Sequence, residues 1–587
     1  MYVENYNRSN EATAQERRAA GQTPDRLIGQ VSRCDGSTAV ITGIYADPEH
    51  AAHLTVGKLI SVNLGTIRTV GLVYAVEQAP FATEGGALSV SVSVEFLGEV
   101  RDNGTGVIFD RGITEYPFIG APAHRIRASD LRAIYDLGGK HAIRIGSLSQ
   151  DGMIDATVAV DEMLSRHFAV VGTTGVGKST AVSLLLRKIV EARPDLSVLI
   201  FDPHNEFGVP LADHCVRLNL KTLSLPFWLF RLDELTEVLY RGHAAPPEEL
   251  ELLRDIIVHA KLAHRDPGGV LRRKLDSTGI TADTPMPYRM ADVLREINDR
   301  MGALEAKSER PHLRHLRLRL EAAMNDPLYR FMFGVPATEE TIHETIGAIF
   351  RIPNDGRPIT CFEMAGIPGE VVNAVCSVLA RLAFDLASWS DGKFKVLVMC
   401  EEAHRYVPSD PRLGFEPTRL ALARIAKEGR KYGCHLGVIT QRPGDLDPTV
   451  LSQCSTIFAM RLSNESDQAI IRSAIGDASA STLAFLPALG QREAIAFGEG
   501  VAATMRLRFE EVPPSLLPGK PENGDGALTR ANADIRQIID RMRSVTQPMA
   551  GSLLKHSDDL GSEVPDGDAG TYPAGPSLSG GSRFFSR

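Results

Sequence analysis

The stretch GTTGVGKST, residues 172–180, constrains the fold of this chain more than any other feature of its sequence. It satisfies the pattern G-x-x-x-x-G-K-[ST] at every position, with the apolar run RHFAVVG before it and the helical pattern KSTAVSLLLRKIVEA after it. A glycine-rich turn between a strand and a helix lets backbone N–H groups surround a phosphate, beside the positive end of the helix dipole. The sequence therefore predicts a phosphate-binding loop, and the strand–loop–helix context favours this over a plain glycine-rich turn.

The residue types in this loop predict its ligands. Lys178 is expected to reach the β- and γ-phosphates of a nucleotide, and the Ser179 hydroxyl is placed to bind Mg²⁺. ATP and Mg²⁺ are therefore the predicted cofactors. The predicted nucleotide-binding residues are Gly172, Thr173, Thr174, Gly175, Val176, Gly177, Lys178, Ser179 and Thr180.

Around the loop, short apolar runs alternate with helical patterns, which is typical of a parallel α/β sheet. These runs are LSVLIFD, ITCFEMA, FKVLVMC, CHLGVIT and STIFAMRL. The pattern predicts an α/β core in two parts, residues 161–240 and 346–510. The charged, helical composition between them predicts a helical insertion over residues 241–345.

The ends of the chain differ from this core. Residues 1–25 are polar and are expected to be disordered. Residues 26–160 contain short β-like runs bounded by turn residues, including HAIRIGSL, and predict a small β-barrel or sandwich. Residues 511–587 predict a Pro/Gly-rich linker, one helix (Ala527–Val545) and a disordered tail.

Bulk composition narrows the class of protein. The net charge is −9, so nucleic-acid binding would need a local basic lining. Seven scattered cysteines without a CxxC pair argue against a zinc ribbon or a disulfide framework. The N-terminus has no apolar core typical of a signal peptide, and we find no apolar run near the roughly 20 residues that span a bilayer. We expect a cytoplasmic protein without membrane attachment.

The run VLVMC ends in two adjacent acids, Glu401 and Glu402. A P-loop enzyme needs an acid near Mg²⁺ at the tip of a neighbouring strand, and a group that orients the attacking water. Adjacent residues that leave a strand point in different directions, so the pair can divide these two tasks. We predict that Glu401 faces the metal and Glu402 acts as general base; the alternative is a strand end that emerges into solvent. Asp202 and Glu363 also end apolar runs, as single acids.

Two further candidates follow. The cluster Lys427, Arg430 and Lys431 could form a solvated helix end, or it could supply an arginine to the active site of a neighbouring subunit. Gln441 follows the run CHLGVIT, where a γ-phosphate sensor would lie. Spacing alone leaves both questions open.

Taken together and in order, RHFAVVGTTGVGKST, FDPHNEF, EEAHRY, EGRKYG and TQRP behind a β-rich segment closely resemble the HerA branch of the HerA–FtsK ATPases. The resemblance covers about residues 26–510. It implies an α/β fold with a RecA-like P-loop core, a small N-terminal β-barrel and a helical insertion. It further implies a homohexameric ring that uses ATP to translocate on double-stranded DNA.

The resemblance also implies roles for single residues. Lys178 and Ser179 would take the phosphate and Mg²⁺ roles, Glu401 the metal-side acid and Glu402 the catalytic base. Gln441 would be the sensor and Arg430 the finger that reaches the neighbouring subunit. Arg166 would act on the nucleotide of its own subunit.

Some residues have roles that the resemblance leaves open. The residues Asp202, His204 and Glu206 would lie near the nucleotide, without separable roles, and a purely structural role for Asp202 is an equal alternative. Most P-loop ATPases have Asp where this chain has Glu401, and Glu is one methylene longer.

The DNA path is the least marked part of the sequence. Two charge runs stand out: Arg272, Arg273 and Lys274, and the series Arg310, Arg314 and Arg317. The second series lies opposite Leu313, Leu316 and Leu320, so a solvated helix face explains it better than DNA contact. No base-reading module is present, so any DNA binding is expected to involve the phosphate backbone without sequence preference.

The expected function is an ATP-driven DNA translocase or helicase that works with a separate effector in DNA end processing or anti-phage defence. The effector would be a NurA-type nuclease, another nuclease or a sirtuin-like NADase. One alternative is a ring scaffold in which ATP gates a defence effector without moving DNA. A second alternative is a protein-translocating or secretion ATPase, against which the N-terminal barrel weighs.

Overall fold

A computed structural model describes residues 26–45, 54–78, 88–104, 106–265, 279–303, 308–334, 342–474 and 480–518. These residues all lie in one compact unit, Met1–Ala527. The expectations for residues 1–25, for Arg272 to Lys274 and for residues 519–587, including the helix Ala527–Val545, lie outside the described residues.

The N-terminal part is a closed antiparallel barrel. Six strands form a ring in the order β2-β1-β7-β3-β4-β5, and pairing between β5 and β2 closes it, while β6 pairs with the outside of β5. Alternate residues such as Val92 and Val94 point inward and are buried, and the intervening residues are more exposed. The strands are β1 (Leu27–Cys34), β2 (Thr38–Tyr45), β3 (Leu59–Asn63), β4 (Ile67–Gln78), β5 (Leu88–Asp102), β6 (Val107–Asp110) and β7 (Pro122–Arg125).

The core is an eleven-stranded sheet in the order β12-β13-β11-β14-β15-β10-β16-β17-β18-β8-β9. The strands from β12 to β16 in this order are parallel, and the remaining pairs are antiparallel. They are β8 (Ala142–Leu148), β9 (Asp155–Ala159), β10 (Phe168–Val171), β11 (Leu196–Asp202), β12 (Cys215–Leu218), β13 (Ile359–Glu363), β14 (Lys395–Glu401), β15 (Cys434–Thr440), β16 (Thr456–Ala459), β17 (Glu493–Gly498) and β18 (Met505–Phe509).

Helices cover both faces of the sheet and build the insertion between β12 and β13. They are α1 (Ala128–Ile134), α2 (Val160–Ser165), α3 (Lys178–Ala192), α4 (Leu232–Tyr240), α5 (Pro247–Arg265), α6 (Met290–Gly302), α7 (Arg310–Asn325), α8 (Arg330–Phe333), α9 (Ile342–Phe350), α10 (Gly369–Trp389), α11 (Glu416–Glu428), α12 (Pro448–Ser452), α13 (Glu465–Ala474) and α14 (Ala480–Leu483). The described residues between 241 and 345 form helices and loops, as their composition predicts.

Two hydrophobic cores flank the parallel strands. In β14, Val396 and Val398 pack into one core with α10, whereas Leu397 and Met399 pack into the other core with α3. All four side chains are fully buried. A strand buried on both faces explains why the sequence shows a continuous apolar run here rather than alternation. The predicted fold class, an α/β RecA-like P-loop core with a small barrel and a helical insertion, is confirmed.

One predicted barrel strand belongs to the core instead. HAIRIGSL forms β8, which pairs with β9 and with β18 in the core sheet. Its alternating burial resembles that of a barrel strand, but Gly146 lies opposite Phe509 of β18. The segment 26–160 therefore divides, because the barrel ends with β7 at Arg125 and β8 and β9 extend the core sheet.

One long apolar helix of the core, α10, was not predicted from the sequence. Helix α10 has 21 residues, and an 18-residue window within it has a mean hydropathy of 1.5, enough to span a membrane by length and composition. The expectation that no apolar run approaches this length was therefore wrong. Of the residues in that window, 72% are buried. Its side chains, including Val375 and Leu379, pack in the hydrophobic core beside the sheet, as expected of the core helix of a large α/β domain.

Candidate active site

The phosphate-binding loop joins β10, which ends at Val171, to α3, which begins at Lys178. Gly175 and Gly177 have φ angles of 78° and 97°, in the left-handed region that glycine adopts without steric cost. A Cβ on Gly172 would lie 2.8 Å from Met460 Cβ. The backbone and its packing thus require glycine at these three positions of the motif.

The side chain of Lys178, the first residue of α3, folds back onto this loop. Its Nζ donates a hydrogen bond to the Thr173 carbonyl oxygen at 3.0 Å. Burial lowers the pKa of Lys178, and the carboxylates of Glu402, Glu206 and Glu401 oppose that shift. The ammonium group is therefore partly desolvated and shares its space with three acids, an arrangement suited to a ligand that carries both phosphate and a metal ion.

The tandem acids end β14 and do not emerge into solvent. Glu401 is 5% exposed and Glu402 is 6% exposed, and the Oε2 atom of each is buried without a hydrogen-bond partner among the described residues. Glu402 has φ and ψ of 50°, the left-handed conformation that non-glycine residues rarely adopt. Buried polar atoms normally have partners, so these two oxygens indicate a binding site.

A chain of side chains connects the P-loop to Glu402. The Gln441 side-chain amide donates to Glu402 Oε1, and the Thr174 hydroxyl donates to Gln441 Oε1. Gln441 follows β15, which lies between β10 and β14 in the sheet. The structure therefore brings the predicted sensor, the predicted base and the P-loop together at one sheet edge.

His404 is a further member of this group that the sequence did not identify. Its Nδ1 lies 3.1 Å from Thr440 Oγ1 and 3.4 Å from Glu402 Oε2. Burial lowers the pKa of His404, which favours the neutral imidazole. The motif EEAH was noted in the sequence, and the αL turn at Glu402 is what directs its histidine back toward the base.

The structure separates the roles within FDPHNEF. Asp202 is fully buried, and its carboxylate accepts the backbone N–H groups of Glu206 and Phe207 at 3.0 and 2.9 Å. It therefore holds the loop. Glu206 accepts a hydrogen bond from the Ser179 hydroxyl, and His204 Nδ1 lies 3.6 Å from Glu401 Oε1. Glu206 and His204 are thus the members that approach the candidate site.

Carboxylates are in excess around Glu401. Burial raises the pKa of Glu401 to about 10, with further contributions from Asp202, Glu206 and Glu402. A divalent cation would compensate this charge. Among the described residues no group of three or more His, Cys, Asp or Glu side chains forms a metal site. Ser179, whose hydroxyl donates to Glu206, and Glu401 are the residues that could contact Mg²⁺ bound to nucleotide phosphates here.

Glu363, the remaining acid at a strand end, has a different partner. Its carboxylate forms an ion pair with the Arg217 guanidinium. The positive charge of Arg217 compensates it, so Glu363 shows no sign of a role in the chemistry.

A cavity lies at the other ends of these strands, where the parallel strands begin. It has a volume of about 550 Å³ and lies where β10 and β16 begin, beside His167 and Ser455. Its basic side chains are Arg111, Arg166, Lys427, Arg430 and Lys431. Arg430 and Lys431 follow α11 in a short turn and are exposed. This edge is therefore strongly basic.

The distance between the P-loop end and the basic end of the sheet corrects the expectation for Arg166. Strand β15 has seven residues, so its ends lie about 20 Å apart, farther than an arginine side chain extends. Arg166 precedes β10 and forms an ion pair with Glu499 at 2.8 Å. The prediction that Arg166 acts on the nucleotide of its own subunit is therefore wrong. For Arg430 the same distance excludes its own P-loop and is compatible with a neighbour's site.

The arginines of α7 contact their own helical region. Leu313, Leu316 and Leu320 are fully buried. Arg310 Nη2 donates to the Ala303 carbonyl oxygen at 3.0 Å, and Arg317 Nη1 donates to Asn298 at 3.2 Å. These contacts agree with the interpretation of this series as the outer face of an insertion helix.

Comparisons with known proteins agree with this geometry. Residues 143–383 match the family model described as Helicase HerA, central domain. The DNA double-strand break repair helicase HerA of Pyrococcus furiosus is 26% identical over 462 residues, which cover 73% of this chain and 78% of the relative. The protein of the same name from Saccharolobus solfataricus is 25% identical over 415 residues, with 69% and 75% covered.

Solved structures give distant matches. VirB4 of Thermoanaerobacter pseudethanolicus superimposes with a TM-score of 0.46 at 16% identity, covering 65% of this chain and 99% of VirB4. The plasmid coupling protein TrwB, in complex with ADP and Mg²⁺, has a TM-score of 0.41 at 14% identity, covering 67% of this chain and 95% of TrwB. The family match over residues 143–383 and the HerA relatives, together with the P-loop, its buried tandem acids and the N-terminal barrel, show that this chain contains a HerA-type central domain and is related to the HerA P-loop ATPases.

Proposed function

We propose that this chain is the motor subunit of a homohexameric ring that uses ATP hydrolysis to translocate on double-stranded DNA. The observation that carries the catalytic part is the side-chain series Thr174, Gln441 and Glu402, which links the P-loop to a buried carboxylate. Relatives named DNA double-strand break repair helicases support DNA as the substrate.

Each side chain at the P-loop edge has a proposed task. Lys178 binds the β- and γ-phosphates, and Ser179 and Glu401 hold Mg²⁺, which neutralises charge on those phosphates when bound. Glu402 accepts the proton of the attacking water. Gln441 orients Glu402 through their hydrogen bond and is positioned by Thr174 at the P-loop.

The position of the basic cavity supports the proposed ring. Transition-state charge on the γ-phosphate is commonly stabilised by an arginine, and no arginine of the basic cavity can reach the P-loop of its own chain. We propose that Arg430 of one subunit completes the site of its neighbour. Arg166 lines the same cavity, so we assign it to the same donating face.

DNA binding is proposed to involve phosphates without sequence preference. Such binding releases counterions and weakens steeply as salt rises. We also propose a cytoplasmic location and a separate effector: a NurA-type nuclease, another nuclease or a sirtuin-like NADase. Its identity would decide between DNA end processing and anti-phage defence, and the neighbouring reading frame is the first place to look for it.

The test is ATP turnover of the purified protein with and without duplex DNA, over a series of salt concentrations. We expect duplex DNA to stimulate turnover and the stimulation to fade as salt increases. Turnover that duplex DNA does not change at any salt concentration would favour the alternative, a ring in which ATP gates an effector without moving DNA.

A further inference from the structure

The residues just before β17 approach the P-loop from the side opposite the acids. Strand β17 is antiparallel to β16, with Ala459 opposite Ile495, so β17 begins at the edge where β16 ends. Strand β16 pairs with β10, the strand that leads into the P-loop. Arg492, the residue before β17, therefore lies at the same end of the sheet as the P-loop. Arg166, in contrast, lies at the opposite end.

The backbone of Arg492 is fixed against the P-loop. Its N–H donates to the Val176 carbonyl oxygen at 3.1 Å, and its own carbonyl oxygen accepts from Phe509 N–H at 2.8 Å. Its φ of 61° is in the left-handed region. Strained backbone of this kind persists where the surrounding structure enforces it, often at ligand sites.

The side chain of Arg492 passes beside the P-loop, and the positive charge of its guanidinium is only weakly compensated by a neighbouring acid. A Cβ on Gly177 would lie 3.8 Å from Arg492 Cγ. The guanidinium is 3.6 Å from Glu511, whose side chain is 86% exposed, while that of Arg492 is 28% exposed. An ion pair of this kind with an exposed partner contributes little, so the guanidinium is free to exchange it for a better anion.

We propose that Arg492 binds the nucleotide of its own subunit on the ribose and α-phosphate side. Lys178, Glu402 and Gln441 occupy the β14–β15 side of the loop, where the γ-phosphate and its attacking water belong. Arg492 approaches from the β16–β17 side, so it meets the other end of the nucleotide. Arg492 would thus act on the nucleotide of its own subunit, the role that the family resemblance implied for Arg166. The inference rests on nucleotide binding at the P-loop and not on DNA translocation.

The test compares the affinities of wild type and Arg492→Gly for fluorescent ATP and fluorescent ADP. Glycine accepts the left-handed backbone, so this variant removes the side chain without adding strain. We expect about 10-fold weaker binding of both nucleotides, because a charged hydrogen bond is lost. KM for ATP should rise by a similar factor while kcat changes by less than about 2-fold, the pattern of a contact made equally in ground and transition states.

Two controls accompany this variant. Arg508→Ala removes an exposed arginine from the neighbouring strand β18 and should leave both affinities unchanged. Lys178→Ala should abolish nucleotide binding. If Lys178→Ala binds normally, the P-loop assignment itself fails; if it does not bind while Arg492→Gly binds normally, only the Arg492 inference is overturned.

Further outcomes are equally decisive. A loss of affinity for ATP but not for ADP would place Arg492 at the γ-phosphate and overturn the proposal. If Arg492→Gly does not fold, as judged by thermal unfolding, Arg492→Gln takes its place, since it keeps most of the stem and removes the charge. Weaker binding of both nucleotides by that variant supports the proposal, and unchanged binding overturns it.

Discussion

At the scale of single residues, the backbone conformation of Glu402 determines which groups the two tandem acids contact. Two adjacent residues in a regular strand would face opposite sides of the sheet, but Glu402 has a left-handed backbone just after β14 ends. That turn directs its carboxylate to Gln441 while Glu401 faces His204. The presence of two acids was predictable from the run VLVMCEE. The αL turn was not, because nothing in the residue type of Glu402 favours it.

The assignment of Glu402 as base predicts a specific kinetic defect. Glu402→Gln should bind ATP normally but hydrolyse it at least about 10²-fold more slowly, because the amide cannot accept the proton of water. Turnover by phosphate release and binding by fluorescent ATP measure the two effects. Glu416→Gln, at a side chain that is 74% exposed, is the matched control and should behave as wild type. Near-normal turnover by Glu402→Gln would remove Glu402 from this role.

The two acids should differ in their metal dependence. Glu401→Gln is expected to raise the Mg²⁺ concentration needed for half-maximal hydrolysis by about 10-fold, because a metal contact is lost. Glu402→Gln should leave that concentration unchanged, whatever its residual rate. A Mg²⁺ titration of ATP turnover makes the comparison. Equal Mg²⁺ requirements in wild type and Glu401→Gln would contradict the division of labour.

At the scale of elements, burial on both faces made the parallel strands visible in the sequence. Strands β10, β11, β13, β14, β15 and β16 were all predicted from apolar runs. Strand β12 and the hairpin β17–β18 were not predicted. Strand β12 has only four residues, and the hairpin lies in the antiparallel part of the sheet. Strand β8 was predicted as a strand but was assigned to the barrel. Alternation of apolar and polar residues shows that one face of a strand is buried, but it does not show which sheet the strand joins.

The pairing of β8 with β18 has a measurable consequence. A Cβ on Gly146 would lie 2.1 Å from the Arg508 carbonyl oxygen, so the backbone of β18 would have to move. We expect Gly146→Ala to lower the free energy of unfolding by about 1–3 kcal/mol. Gly152→Ala, in the turn between β8 and β9 with open space around it, is the control. Equal stability of the two variants in thermal unfolding would show that β8 does not approach β18 so closely.

At the scale of the whole molecule, the two edges of the sheet have complementary chemistry. The carboxyl ends of the parallel strands hold the P-loop and the acids, and the amino ends hold the cavity with Arg166 and Arg430. The sequence supplied both sets of residues but not their separation, which depends on strand length and direction. A chain with its acids at one edge and its arginines at the other is suited to head-to-tail assembly into a ring.

This assembly predicts complementation between defective subunits. Arg430→Ala and Lys178→Ala should each be inactive alone. The first lacks the arginine that it would donate to its neighbour, and the second lacks the lysine of its own P-loop. Mixed rings should recover part of the ATP turnover, because some interfaces then join an intact P-loop to an intact Arg430. Mixing Lys178→Ala with Glu402→Gln is the control: both defects lie on the receiving side, so no site is restored. Verified mixed rings of the first pair without activity would contradict an arginine supplied by the neighbour.

The central claim is that ATP hydrolysis by this chain drives movement along double-stranded DNA, and displacement of a third strand from a DNA triplex tests it most directly. Wild type should release the third strand in the presence of ATP and Mg²⁺, and Glu402→Gln should not. The contradicting result is a wild-type protein that hydrolyses ATP at a rate indifferent to duplex DNA and leaves the triplex intact.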